Sequence, residues 1–334
     1  MIRFSLALLL LGMCTASGAQ TIAPMGVACK LEGVDSTRAE MVIDDLRVMF
    51  QSDRFAALDD QLACLIASKD RLRSGKPGAS VAYQLFKREM PAPGTVPATA
   101  AQVDKWLRAR PDSPFARFAQ LRLLYANAWN SRGSGYAGTV TDDGWQRYRQ
   151  GLLGAEQAMR KTTAPLRGTP VWHHFLLALS QDEATDAARV DALFEEAVKQ
   201  WPRYYDLYEV RLTRLGPKWG GSWEDVAAFI ERWSAKQKAN EGVSLYARLY
   251  ASVHASGVDP LETGLDWPRM KASLDDLVAR YPDSRHKILA ASYACRYRDI
   301  DYFKSSMARI GVRDVNDAAW LRGTSARECA QLIR

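Results

Sequence analysis

Two loop-like stretches combine the side chains in this sequence that are best suited to binding a ligand. The first brings Trp129, Arg132 and Tyr136 together with two glycines. A guanidinium can hold a carboxylate or phosphate through two hydrogen bonds while an aromatic ring stacks on the ligand. The pattern also fits a long loop between helices, in which Arg132 binds helix-end carbonyl groups and glycine supplies positive φ angles. The stretch is therefore a candidate binding site that also has a purely structural interpretation.

The second stretch runs from Lys218 and Trp219 through two glycines to Ser222. It precedes a predicted helix, and the free N–H groups at a helix N-terminus can bind an anion. The stretch lacks the pattern of a phosphate-binding loop, and Ser222 can simply cap the helix. We include Lys218 and Trp219 with the first three residues as the predicted ligand-binding set.

The sequence offers no coherent catalytic or metal-binding set. His173 and His174 are adjacent, so on a helix their side chains point about 100° apart and cannot readily share a metal ion. His254 and His286 are the remaining histidines, and neither a His-Glu-x-x-His motif nor a Gly-x-Ser-x-Gly motif is present. The sequence therefore predicts no catalytic residue, no metal and no cofactor.

The spacing of apolar residues predicts the helices that carry these stretches. A helix is predicted from Pro202 to Leu215, and after the loop a second one runs from its cap at Ser222 to Trp233. The same alternation of helix and turn recurs along the chain, giving about fourteen helices and no convincing period-2 strand. The sequence predicts an all-α fold of antiparallel helical hairpins.

Helix boundaries are predicted from capping and breaker residues. Thr37 with Glu40 forms a capping box for the first helix, and apolar spacing extends the second helix from Phe55 to Leu72. The spaced prolines and glycine of residues 91–98 predict a linker, which is a possible minor domain boundary.

Three helix junctions share one pattern, in which a proline follows an aromatic or basic residue and the next helix begins. They contain Pro111, Pro202 and Pro282. This junction is typical of tetratricopeptide-like hairpins, but the spacing is irregular. The chain is therefore predicted to be a degenerate tetratricopeptide-like array, that is, an α-solenoid, and the sequence leaves open whether the array is open or closed into a ring.

The chain resembles a known family through a set of short motifs. These are Phe55-Ala-Ala-Leu58, Trp106 with Pro111-Asp-Ser-Pro, Ala128-Trp-Asn-Ser-Arg-Gly133-Ser-Gly-Tyr-Ala137, Pro217-Lys-Trp-Gly-Gly-Ser222 and Tyr281-Pro-Asp-Ser284. Together they are similar to the bacterial helical family catalogued as domain of unknown function 4034, over roughly residues 40 to 320. The resemblance implies a tetratricopeptide-like helical array, and it implies no activity.

The N-terminus has the features of a secretory signal peptide. Arg3 precedes an apolar run from Phe4 to Met13, and small residues precede a cleavage point after residue 19. A lipoprotein anchored through Cys14 is the alternative. The mature chain, residues 20–334, is predicted to be a single helical-array domain that is exported to the periplasm or beyond. No later segment has the roughly 18 apolar residues that a membrane span requires.

Four cysteines remain in the mature chain, and an even number in an exported protein predicts disulfides. Cys29, Cys64, Cys295 and Cys329 allow three connectivities, of which we favour the two local pairs, Cys29–Cys64 and Cys295–Cys329. Each pair would tie one end of the array to its neighbour. No Cys-x-x-Cys motif is present, so a structural role is favoured over a redox-active one.

The net charge and the spacing of the charged residues indicate which classes of partner to expect. The net charge of +7 falls to +6 without Arg3, and no run of five like charges occurs, so nucleic acid is not a predicted partner. We expect an exported binding or scaffolding protein with a protein or peptide partner in the cell envelope, and a glycan is the alternative partner. The alternative is an enzyme acting on polysaccharide, which would need two carboxyl groups about 5–9.5 Å apart across an aromatic cleft.

Overall fold

The computed structural model describes residues 30–89, 96–133, 135, 137–161, 164–182, 186–311 and 319–331. The predicted signal peptide, Cys14, Cys29 and Tyr136 lie outside these residues. The described chain is all-α: it contains seventeen α-helices and no β-strand, and its one β-bridge joins Arg71 to Pro77. Fourteen of the helices have seven residues or more, which confirms the predicted fold class and helix number.

The helices pack mainly against their neighbours in sequence, as expected for hairpins in an array. In chain order they are α1 (Ser36–Gln51), α2 (Phe55–Ala67), α3 (Gly78–Glu89), α4 (Val96–Ala109), α5 (Pro114–Arg132), α6 (Asp142–Lys161), α7 (Ala164–Arg167), α8 (Pro170–Asp182), α9 (Ala187–Gln200), α10 (Asp206–Thr213), α11 (Trp223–Lys236), α12 (Lys238–Glu241), α13 (Ser244–His254), α14 (Trp267–Arg280), α15 (Ser284–Arg296), α16 (Ile300–Ala308) and α17 (Ala326–Ala330). Short 3-10 helices lie at Ala137–Thr139, Pro217–Trp219 and Pro260–Glu262.

Six helices contact one another in a closed ring in the order α1, α3, α8, α10, α13 and α15. Tyr83 of α3 contacts His174 of α8 with ring centroids 4.0 Å apart. On the other side, the hydroxyl of Tyr293 in α15 hydrogen-bonds Nδ1 of His254 in α13. Since α15 also contacts α1, the array returns to its own first helix.

The contact that closes the ring is a reciprocal exchange of hydrogen bonds between two helix N-termini. The backbone N–H of Ser36 donates to Asp283 Oδ2 at 2.8 Å, and the backbone N–H of Ser284 donates to Asp35 Oδ2 at 2.9 Å. Asp35 also caps its own helix by accepting from the backbone N–H of Thr37 at 3.1 Å. Each aspartate thus satisfies N–H groups on two helices that have no partner within their own helix.

The core is almost continuous along the chain, from Leu31 to Leu321, and a small second cluster includes Phe303 and Trp320. The second cluster is tied by a disulfide between Cys295 and Cys329, with Cα atoms 5.5 Å apart. This confirms one of the two predicted pairings; the other stays a prediction. None of the described helices is long and apolar enough to cross a membrane.

The capping-box prediction for the first helix is wrong in its residues. The N-cap of α1 is Asp35 rather than Thr37. The pattern of Thr37 and Glu40 is real, but the Asp35 carboxylate has additional donors from the distant Ser284, which local sequence does not show.

The second and fourth helices also differ from prediction. Helix α2 ends at Ala67, because Ser68 is extended with ψ 137°, and Leu72 is buried in the following loop rather than on the helix. Helix α4 begins at Val96, inside the predicted linker. Its second residue is Pro97, a position where the missing N–H leaves no helical hydrogen bond unmade.

The helix predicted from Pro202 begins only at Asp206. The backbone N–H of Tyr204 donates to the carbonyl of Trp201 at 3.0 Å, so residues 201–204 form a turn. Tyr204 on this turn and Tyr205 directly after it are both buried, which shows that apolar spacing alone does not distinguish a buried turn from a first helical turn.

Candidate functional site

The structure brings together four of the five predicted ligand-binding residues. Trp129 and Arg132 lie in the last turn of α5, and Lys218 and Trp219 lie in the 3-10 helix before α11. The Trp129 and Trp219 rings meet edge to face, with centroids 5.8 Å apart and an interplanar angle of 87°. Two segments that are distant in sequence therefore form one surface.

Five side chains form the centre of this surface, and we call them the tryptophan–arginine cluster: Trp129, Trp145, Trp219, Arg132 and Arg214. The Arg132 guanidinium carbon lies 5.0 Å from the Trp145 ring centroid, 5.4 Å from that of Trp129 and 6.0 Å from that of Trp219. Arg214 lies 3.8 Å from the Trp219 centroid and 5.2 Å from that of Trp129. Each guanidinium is thus within cation–π distance of two or three indole rings.

Arg132 also holds its own loop. Its Nη1 donates to the carbonyl oxygens of Gly133 and Gly135, each at 3.1 Å. These hydrogen bonds to backbone carbonyl groups are the structural role that the sequence analysis gave as the alternative to ligand binding. Gly133 has φ +82°, a left-handed conformation that favours glycine. Arg132 therefore shapes the loop and presents a cation at the surface at the same time.

Asp182, the last residue of α8, holds Arg214 in place. The Asp182 side chain is only 1 % exposed, and its Oδ1 forms an ion pair with the Arg214 guanidinium. Its Oδ2 accepts from Trp129 Nε1 at 2.8 Å and from the Tyr125 hydroxyl. One buried carboxylate thus positions two members of the cluster.

The phenols beside the cluster stay neutral at neutral pH. Burial raises the pKa of Tyr125 to about 12 and the pKa of Tyr148 to about 12. Tyr148 packs edge to face on Trp129 and on Trp145, with centroids 5.1 and 5.8 Å apart. Since Asp182 compensates the charge of Arg214, the cations without a carboxylate partner in this part of the described chain are Arg132 and Lys218.

Lys218 is exposed, and its ammonium lies 5.6 Å from the Trp219 centroid. The loop that presents it depends on glycine. Gly220 has φ +87°, and a Cβ on Gly221 would lie 2.0 Å from the carbonyl oxygen of Leu215. The two glycines therefore allow the chain to turn tightly and place Lys218 and Trp219 at the surface.

The helix after this loop is capped as the sequence predicts. Ser222 Oγ accepts from the backbone N–H of Asp225 at 3.0 Å. Glu224 and Asp225 add negative charge to the first turn of α11. The geometry therefore favours capping over an anion site at this helix N-terminus, and it is the side chains of the loop that remain available to a ligand.

The four histidines are buried in the core or packed against aromatic rings. Burial lowers the pKa of His174 to about 3, that of His254 to about 4 and that of His286 to about 3, so all three are uncharged at neutral pH. His173 packs against Trp201 with ring centroids 4.6 Å apart. Within the described ranges, no group of three or more His, Cys, Asp or Glu residues is arranged to hold a metal ion.

The residues that sequence reasoning missed are Trp145, Tyr148, Asp182 and Arg214. They come from α6, α8 and the end of α10, and nothing in their immediate sequence distinguishes them from ordinary helical residues. Tyr136 was predicted for the site but lies outside the described residues.

Comparison with known proteins adds no relative: no family model, no curated protein and no solved structure matches this chain. The resemblance to the family catalogued as domain of unknown function 4034 therefore stays a prediction.

Proposed function

We propose that this protein is an exported helical binding or scaffolding protein of the bacterial cell envelope, and that the tryptophan–arginine cluster with Lys218 contacts its partner. The observation that carries the proposal is the convergence of the two predicted stretches, with the Trp129 and Trp219 rings 5.8 Å apart. Partly exposed tryptophans beside cations are the side chains that most often dominate binding energy at protein interfaces.

The charge of the surface favours an acidic peptide segment as the partner. Arg132 and Lys218 are not compensated by a carboxylate in the described chain, and a carboxylate on the partner would supply one. Trp219 and Trp145 offer flat apolar area beside these cations. A glycan also stacks on indole rings, but it does not by itself use the two cations unless it carries acidic groups.

Export is part of the proposal and rests on two features. One is the signal-peptide pattern of residues 1–19. The other is the Cys295–Cys329 disulfide, since disulfides persist mainly in oxidising compartments such as the periplasm. A lipid anchor through Cys14 would keep the same compartment and change only the attachment.

The alternative function, an enzyme acting on polysaccharide, has weaker support. A cavity of about 400 Å³ lies between α1, α3, α13 and α15. The carboxylates that line it are paired with cations: Glu40 with Arg88 at 2.6 Å and Glu209 with Lys76 at 3.1 Å. Burial raises the pKa of Glu40, but hydrogen bonds from Arg88 and Arg285 outweigh it, and the pKa is lowered. A glycosidase needs one carboxyl group that is still protonated near neutral pH, and Glu40 is shifted in the opposite direction.

The proposal is tested by site-directed photo-crosslinking in cells that export the protein. A photo-reactive residue replaces Lys218, and the matched control replaces Lys199, an exposed lysine of α9. We expect a discrete adduct from position 218 and none from position 199. The mass that the partner adds to the protein should be resistant to glycan-degrading enzymes, and after proteolysis it should be recovered as a peptide joined to position 218.

The captured partner is then purified and its affinity measured with defined variants. Trp219→Ala is expected to weaken binding by at least about 2 kcal/mol, roughly thirtyfold, as for an aromatic hot spot. Lys218→Glu should weaken it less and reduce its dependence on salt, whereas Lys199→Glu should leave it unchanged. Equal capture at positions 218 and 199, or an unchanged affinity of Trp219→Ala, would remove the cluster as the binding surface. A glycan adduct would show that the assignment of a peptide partner is wrong.

A further inference from the structure

A second site lies inside the helical ring and is separate from the tryptophan–arginine cluster. It is a cavity of about 400 Å³ between α1, α3, α13 and α15, within the size range of small-molecule sites. None of the residues of the tryptophan–arginine cluster lines it.

The central feature of the cavity is Arg248 of α13, which is only 7 % exposed. Its Nη2 donates to the carbonyl oxygen of Ser74 at 2.8 Å, while its Nε is buried without a hydrogen-bond partner. The guanidinium carbon lies 3.8 Å from the ring centroid of Tyr205 and 5.0 Å from that of Tyr281. In the part of the chain that the structure describes, no carboxylate forms an ion pair with Arg248.

A buried guanidinium normally has a carboxylate partner, because an uncompensated charge in the interior is costly. The buried Glu241 is already engaged. Its Oε1 accepts from the hydroxyls of Tyr205 and Tyr281 at 3.0 and 3.1 Å, and it pairs with Arg203 at 3.2 Å. The charge of Arg248 is therefore left for a ligand to compensate.

Two other lining residues also have unpaired donors. Ser74 Oγ and Arg285 Nε are buried without hydrogen-bond partners. Arg285 uses Nη2 to bind Glu40 at 2.9 Å, so its Nε remains available. Three of the unpaired buried groups of the described chain thus belong to residues around one cavity, and all three can donate.

Among the lining residues and their ion-pair partners, the cations outnumber the carboxylates by one. Lys76 pairs with Glu209 at 3.1 Å and with the buried Asp206 at 3.4 Å, while Arg88 and Arg285 share Glu40. The cations of the lining are Lys76, Arg88, Arg248 and Arg285, and their carboxylates are Glu40, Glu209 and, behind the wall, Asp206. This balance fits a ligand with one negative charge.

One part of the wall is apolar and is formed by Ile43, Leu72, Val81, Leu277 and Leu289. Polar side chains such as Gln84 and Ser252 also line the cavity. An inorganic anion would leave this surface uncovered, whereas a ligand with a hydrocarbon body would bury it.

We propose that the cavity binds a small organic monocarboxylate, with its carboxylate on Arg248 and its apolar body against the leucine and isoleucine side chains. The planar guanidinium can hold a carboxylate through two hydrogen bonds, and Arg285 Nε and Ser74 Oγ supply further donors.

The probes are hexanoate, its neutral analogue 1-hexanol and inorganic phosphate, each titrated into the full-length protein by isothermal calorimetry. Hexanoate is expected to bind saturably at one site. Hexanol, which lacks the charge, and phosphate, which lacks the apolar body, are each expected to bind at least about tenfold more weakly.

Three variants locate the site. Arg248→Met removes the charge and should weaken hexanoate binding at least about tenfold. Ala251→Phe fills the cavity from α13 while keeping Arg248, and it should abolish binding even if Arg248→Met fails to fold. Arg269→Met is the matched control: Arg269 also stacks on a tyrosine, 4.3 Å from the Tyr246 centroid, but does not line the cavity. Its affinity should stay within about twofold of wild type.

Several results would overturn the proposal. Hexanoate binding that does not saturate would do so, as would hexanoate binding that survives Ala251→Phe or a folded Arg248→Met variant. Hexanol binding as tightly as hexanoate would show that the charge of Arg248 is not used. Phosphate binding more tightly than hexanoate would show that the ligand is not a monocarboxylate with an apolar body.

Discussion

Asp182 is the residue on which the architecture of the tryptophan–arginine cluster most depends. Its side chain is 1 % exposed and that of its partner Arg214 is 18 % exposed, so the ion pair is largely shielded from water. Replacing Asp182 by alanine leaves the Arg214 charge uncompensated and removes the acceptor of the Trp129 N–H and the Tyr125 hydroxyl. Removing one partner of a buried pair costs about 3–5 kcal/mol, so we expect a loss of about 4 kcal/mol in unfolding free energy.

The measurement is urea unfolding followed by tryptophan fluorescence. It includes a double-mutant cycle with Arg214→Met, which removes the charge that Asp182→Ala would leave behind. The double variant should be more stable than Asp182→Ala alone, with a coupling energy of about 2 kcal/mol or more.

The matched control for this prediction is Asp191→Ala. Asp191 pairs with Arg211 but is 49 % exposed, so its removal should cost less than about 1 kcal/mol. If Asp182→Ala costs no more than Asp191→Ala, or if the cycle shows no coupling, the interpretation of Asp182 as a buried anchor is wrong.

Two further predictions concern the ends of the array. The Cys295–Cys329 disulfide joins residues 34 positions apart, and for a loop of this length the chain-entropy model gives a stabilisation of about 4 kcal/mol. Replacing both cysteines by serine should therefore lower the melting temperature in thermal unfolding. Because the bond is already absent from that variant, reductant should lower its melting temperature little further. For Asp35, burial raises the pKa, but hydrogen bonds from Ser284 and Thr37 outweigh it and lower the pKa to about 2 from 3.8. Its contribution to stability is therefore present above about pH 3.8 and lost as pH falls toward 2, so the difference in unfolding free energy between wild type and Asp35→Asn should shrink over that interval; a difference that stays constant would contradict this account.

Local sequence was sufficient to predict what local interactions determine. Ser222 caps α11 because its hydroxyl oxygen accepts from the backbone N–H of Asp225, only three residues away, and a pattern of that length is visible in the sequence. The helix number and the all-α class follow from repeated apolar spacing in the same way.

The remaining features depend on partners that are remote in sequence. Asp35 displaces Thr37 as the cap of α1 because Ser284 adds two hydrogen bonds to its carboxylate. Arg214 belongs to the candidate site because Asp182 neutralises it and Trp219 covers it. No property of the residues next to Arg214 in the chain reveals either contact.

The cavity around Arg248 likewise depends on residues that are remote in sequence, so local sequence does not predict it. Arg248 lies on a helix between apolar residues, a pattern that suggests only an arginine extending to the surface. It is the ring of helices that buries this guanidinium, and the ring forms only because α1 meets α15.

The exchange of hydrogen bonds between the N-termini of α1 and α15 has a consequence for how the chain folds. An open solenoid needs only contacts between neighbours, so it can grow from any repeat and fray from either end. Here Asp35 and Ser284 are 249 positions apart, and joining them closes a very long loop. Such a contact is slow to form, because the chain loses the entropy of loop closure before the contact contributes any favourable energy. Helix α1 packs against α2 and α3 locally, but we expect its contact with α15, and with it the closed cavity, to form only after the C-terminal third of the chain has folded.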